Sequence, residues 1–111
     1  MSFYRIDITA GPAAGKTLAA IATAKILMKE NWYKSILIAA PEGLPEFFEK
    51  ELRTGLDEGV KVTIVESLDQ IPEFTPKYDI VVDDLSGLTD RSLTQLVAEN
   101  GRLIRTHSRL I

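Results

Sequence analysis

The sequence predicts an α/β fold, a three-layer sandwich around a parallel sheet of about five strands. Two observations carry that reading. Short apolar runs alternate with helical stretches along the whole chain, and two of the runs, SILIAA at 35–40 and YDIVVD at 78–83, hold continuous apolar stretches. A strand covered on one face alternates apolar and polar residues, whereas a strand covered on both does not. Right-handed helical crossovers are what cover both faces of a parallel sheet.

The elements follow in order. Phe3–Thr9 (FYRIDIT) is rich in aromatic and β-branched residues and reads as a strand. Lys16–Glu30 is rich in Ala, Leu, Ile and Lys with few β-branched residues, which predicts a helix. Ser35–Ala40 is a buried strand stopped by Pro41. Leu44, Phe47, Phe48 and Leu52 fall at helical spacing, with Pro45 suited to a first turn and Gly55 near the end. Val60–Val65 (VKVTIV) alternates as a strand. Residues 66–78, with Pro72 and Pro76, read as a loop with room for one helical turn after Ser67. Tyr78–Asp83 is a second buried strand. Leu93, Leu96 and Val97 predict a short helix, entered near Thr89 or Asp90 and stopped at Asn100-Gly101. Leu103–His107 completes the set as a fifth strand.

Composition bounds the function. The chain has 111 residues, 45% hydrophobic and 26% charged, the range of one globular domain over 1–111. It has no cysteine and one histidine, His107, so disulfides and zinc sites built from cysteine or histidine are excluded. A net charge of −3 argues against a bulk electrostatic grip on nucleic acid, although Arg102, Arg105 and Arg109 crowd the last ten residues. No basic start leads into an apolar signal core, and no apolar run reaches membrane-spanning length. A cytoplasmic protein with no membrane partner is the expectation.

Residues 10–17 read AGPAAGKT: Ala10, Gly11, Pro12, Ala13, Ala14, Gly15, Lys16 and Thr17. The pattern is Gly or Ala, four residues, then Gly-Lys-Ser/Thr, placed where a strand ends and a helix begins. That junction aims successive backbone N–H groups and a helix N-terminus at the β- and γ-phosphates of a nucleotide. Gly15 lets the backbone approach without a Cβ, Lys16 supplies a point charge, and Thr17 offers a hydroxyl to Mg²⁺. With Leu18, the next residue of the helix, these are the candidate nucleotide-binding residues, and ATP with Mg²⁺ is the expected ligand.

Ile80-Val81-Val82 is followed by Asp83 and Asp84. Paired carboxylates at the end of a buried strand cost free energy unless a cation compensates them, although aspartates also cap loops. The expected division of labour has Asp83 holding Mg²⁺ through a water, with Asp84 polarising the attacking water beside Lys16 as the catalytic pair.

The pair AGPAAGKT and YDIVVDD is similar to the Walker A and Walker B motifs of the RecA-like, additional-strand P-loop NTPases. The loop looks most like the first motif of superfamily-one helicases, and ILIAAP at 36–41 resembles the strand after it in those helicases and in PhoH-like ATPases. DDLSGLTD at 83–90 resembles the Walker B and D-loop of ABC ATPases, and Thr106-His107 their switch histidine. Three departures stand out. Asp84 replaces the usual glutamate, no ABC signature motif precedes the Walker B strand, and the 111 residues have room for one RecA-like domain and not two.

The resemblance implies that the strand carrying Leu103–His107 inserts between the phosphate-loop strand and the Walker B strand, bringing Thr106 or His107 to the γ-phosphate. It also places Glu42 where RecA-type enzymes keep a catalytic glutamate, an alternative to a solvated loop acid. An inter-subunit finger, a nucleic-acid contact and plain solubility all fit the arginines at 102–109. The function implied is an ATPase module acting with a partner subunit, a second domain or nucleic acid. The other reading is a nucleotide-dependent switch with little hydrolysis of its own.

Overall fold

The computed structural model describes residues 4–10, 15–40, 45–71, 76–85 and 88–108. Five strands, β1 (Tyr4–Ala10), β2 (Ser35–Ala39), β3 (Lys61–Val65), β4 (Tyr78–Asp83) and β5 (Val97–Ser108), form one sheet in the order β1-β5-β4-β2-β3. Every neighbouring pair is parallel. The last strand in the chain therefore lies between the first strand and β4, the position expected of it. Helices α1 (Lys16–Asn31) and α2 (Pro45–Arg53) lie on one face and α3 (Asp90–Leu96) on the other, with a 3₁₀ turn at Leu68–Gln70. Among the described residues no helix is long and apolar enough to cross a membrane.

The continuous apolar runs are explained by burial on both sides. Ile36, Ile38, Ile80 and Val82 meet Ala20, Ile21, Ala24 and Met28 of α1. Leu37 and Val81, of opposite parity, meet Leu93 and Leu96 of α3 together with Leu103. Each fully buried aliphatic side chain contributes about 1.5–3 kcal/mol, so these two strands anchor the fold. Ala20 and Ala24 are completely buried, and their small side chains let α1 lie close over the sheet.

One boundary differs from expectation. The helix at 90 is capped by Thr89, whose hydroxyl oxygen accepts the Ser92 N–H at 3.2 Å, but it ends at Leu96 instead of reaching Asn100-Gly101. From Val97 the chain is already β5, and Asn100-Gly101 lies inside that strand. Gly101 is required there for lack of space. A Cβ on it would stand 2.6 Å from the Asp79 carbonyl oxygen and 3.0 Å from that of Ala98. The β4–β5 register shifts between Tyr78 and Ile80, next to this close approach, so the glycine marks an irregular rung and not a helix stop.

Candidate functional site

Among the described residues only three polar or charged side chains are buried: Asp83, Asp84 and Thr106. All three lie at the C-terminal ends of the adjacent strands β4 and β5, with Asp84 one residue past the strand. The start of α1 completes the group. Gly15 precedes the helix in the left-handed region, φ +73°, which suits a residue without a Cβ, and it offers no side-chain cap. Lys16 and Thr17 open the helix, half-buried, and the Leu18 side chain is 51% exposed. The first turn holds no acidic residue. A helix N-terminus carries partial positive charge and is normally met by an acid or a capping side chain. This one adds a lysine instead. Such a start favours an anion.

The Thr17 hydroxyl donates to Asp84 Oδ2 at 3.1 Å. The Thr106 hydroxyl donates to Asp84 Oδ1. Both of these partners are neutral, and the Asp84 backbone N–H donates to the Ala39 carbonyl at 2.8 Å, continuing the sheet toward β2. The carboxylate is thus aimed at the start of α1 from a site 8% exposed to solvent.

Asp83 takes the other face. Its Oδ2 accepts Arg105 Nε at 2.8 Å, and its Oδ1 accepts the Leu85 backbone N–H at 3.1 Å. Arg105 Nη2 also donates to the Leu88 carbonyl at 2.5 Å, and its side chain is only 12% exposed. The adjacent aspartates are therefore parted by the pleat. Val82 and Asp84 face α1, whereas Val81 and Asp83 face α3. The acid beside Thr17 is Asp84, while Asp83, the expected cation ligand, is paired with Arg105 on the other face.

The same parity separates Thr106 from His107. Thr106 points with Ile104 toward α1 and Asp84, while His107 turns to the opposite face. There its Nε2 lies 2.6 Å from Asp7 Oδ1, with Arg5 Nε donating to the same carboxylate at 3.1 Å. The hydrogen bond from His107, then that from Arg5, hold the Asp7 carboxyl below its ordinary range. Of the two residues expected near the γ-phosphate, Thr106 joins the Thr17–Asp84 group and His107 does not.

Ala10 ends β1 in register with Ser108, so the loop departs from the same sheet edge as the β4 and β5 ends. Gly11, Pro12, Ala13 and Ala14 lie outside the described residues, as do Glu42 and Arg109. The Arg105–Asp83 pair was not anticipated. Its signal was present, because a charge on the face of β5 that Leu103 buries demands a partner, and Asp83 ends the neighbouring buried strand. No protein-family model matches the chain, and no curated protein matches it.

Proposed function

We propose that the chain binds Mg·ATP at the C-terminal edge of its sheet and belongs in mechanism to the RecA-like P-loop NTPases. The observation that carries this reading is the hydrogen bond from Thr17 to Asp84. It joins the threonine of AGPAAGKT to an acid of the apolar-strand-Asp-Asp motif, 67 positions away in sequence. The chemistry of the two motifs suits a single nucleotide with its cation. A parallel sheet with ligands outside the carboxyl ends of its strands is also the usual arrangement in α/β proteins.

The residues fit the ligand. The N–H groups at the start of α1 and the Lys16 ammonium receive phosphate oxygens. Thr17 and Asp84 receive the cation, a hard ion that takes hydroxyl and carboxylate oxygens. A buried carboxylate whose partners among the described residues are neutral hydroxyls gains most from such a charge. Thr106, already on Asp84, lies on the phosphate side. Mg²⁺, when bound with the triphosphate, neutralises charge on the phosphoryl oxygens. Asp84 thereby takes the role first expected of Asp83.

Hydrolysis is proposed to depend on a partner. Transition-state charge in phosphoryl transfer is commonly met by an arginine supplied from another subunit or domain. The Arg105 guanidinium is committed to Asp83 and Leu88, and Arg102 stacks over the Tyr4 ring, 4.0 Å from its centroid. A second reading, a nucleotide-dependent switch with little hydrolysis, is favoured by one observation. Asp83 is buried on the far face, so the aspartate pair does not supply both a cation ligand and a base for water. Calorimetric titration of ATP with and without Mg²⁺ tests the binding. Thr17→Ala is expected to abolish the Mg²⁺-dependent gain in affinity. Equal affinity with and without Mg²⁺ in the parent protein would refute the cation site.

A further inference from the structure

The ends of β4 and β5 carry two rungs, one on each face. Asp83 and Arg105 are Cα partners in register and meet on the α3 face. Asp84 and Thr106, each one residue further along, meet on the α1 face. Arg105 does more than neutralise Asp83. Its fork reaches Asp83 with Nε and the Leu88 carbonyl with Nη2, while the other oxygen of Asp83 accepts the Leu85 N–H. Guanidinium and carboxylate together grip both ends of the connection from β4 to α3. Asp84 is the first residue of that connection, and Thr89, which caps α3, closes it. A buried ion pair adds little net stability compared with apolar residues of similar volume, yet a planar fork with several donors imposes one geometry.

We propose that Arg105 is a positioning residue for the cation site, holding Asp83 and Leu88 from the α3 face and so setting how Asp84 meets Thr17 and Thr106 on the α1 face. The inference rests on the reading of Thr17 and Asp84 as cation ligands. Lysine is a conservative replacement in charge only. A compact ammonium on a flexible stem keeps attraction to Asp83 but does not reproduce the planar two-point hold on Asp83 and Leu88. Groups that orient a metal ligand from behind typically change metal affinity by roughly 10–100-fold when lost.

The test compares the parent with Arg105→Lys, and with the double variant Arg105→Met/Asp83→Leu. The double variant removes both charges at similar volume and keeps the comparison open should the lysine variant fold poorly. Two readouts are taken. The Thr17 and Thr106 methyl resonances are recorded in the nucleotide-free protein, and ATP affinity is measured by calorimetry with and without Mg²⁺. Both methyl resonances are expected to move, and the Mg²⁺-dependent gain in affinity to fall roughly tenfold, with Mg²⁺-free affinity at the parental level. Unmoved resonances, or the two affinities falling together, overturn the role of Arg105. A parent protein with no Mg²⁺-dependent gain overturns instead the cation reading beneath it, so the two failures are told apart.

Discussion

Thr17 and Asp84 meet at 3.1 Å, hydroxyl to carboxylate, at the one sheet edge where buried polar side chains gather among the described residues. Asp83, its neighbour in sequence, is bound to Arg105 on the opposite face. The two aspartates should therefore respond differently to the same substitution. Asp84→Asn is expected to weaken ATP binding in Mg²⁺ far more than without it, with the fold retained, because an amide is a poor ligand for a hard cation. Calorimetry reads this directly, and a parallel loss in both conditions would make Asp84 structural.

Asp83→Asn is expected to act on stability. It takes the Asp83 carboxylate away from an Arg105 side chain only 12% exposed, and breaking so nearly buried a pair costs about 3–5 kcal/mol. Chemical denaturation should show that loss, accompanied by a fall in Tm of more than roughly 10 °C. A drop below about 1 kcal/mol would mean that the pair is solvated in solution.

Lys16→Ala is expected to lower ATP affinity by at least roughly tenfold, the scale of one charge-assisted hydrogen bond to phosphate. Lys16 is half-buried at the first turn of α1 and outside the apolar cluster, so the far-ultraviolet dichroism should not change. Unaltered affinity would remove the phosphate site from the start of α1.

Gly101→Ala is expected to destabilise the fold by about 1–3 kcal/mol, the usual range for overpacking. The obstacles are backbone carbonyls of Asp79 and Ala98, and they cannot swing aside as a side chain does. An unchanged urea midpoint would show that the strands separate at little cost.

Asp7 gives a pH signature whose sign is fixed by its partners. Its folded-state pKa lies below the ordinary 3.8, through hydrogen bonds from His107 and Arg5. A depressed carboxyl contributes stability above its unfolded pKa and loses it as pH falls through the folded one. The group is well exposed, so the contribution is expected to be below about 1 kcal/mol. Asp7→Asn should flatten the acid limb of stability below about pH 4 and leave its neutral plateau nearly unmoved. A steeper acid limb in the variant would contradict the sign.

Much of the architecture was legible locally. SILIAA and YDIVVD announced doubly covered strands because continuous apolar runs have few other uses, and β2 and β4 occupy 35–39 and 78–83. The residues that open α1 were readable for a similar reason. A glycine, a lysine and a threonine at a strand-to-helix junction form a pattern within one turn of chain, and α1 opens at Lys16 directly after Gly15. Asn100-Gly101 misled for the opposite reason. The same dipeptide stops helices and relieves crowding in strands, and only the Asp79 carbonyl, 2.6 Å from a would-be Cβ at Gly101, decides between them.

What sequence alone determined is the inventory: an α/β chain, the AGPAAGKT pattern ahead of a helix, two acids at the end of a buried strand, and a late strand carrying Arg105, Thr106 and His107. Tertiary structure decided which member of each adjacent pair faces Thr17. Neighbouring residues on a strand point to opposite faces, so a shift of one residue in parity exchanges Asp84 for Asp83 and Thr106 for His107. That parity is set where β4 and β5 pair, through partners 22 positions apart: Asp83 with Arg105 on one face, Asp84 with Thr106 on the other.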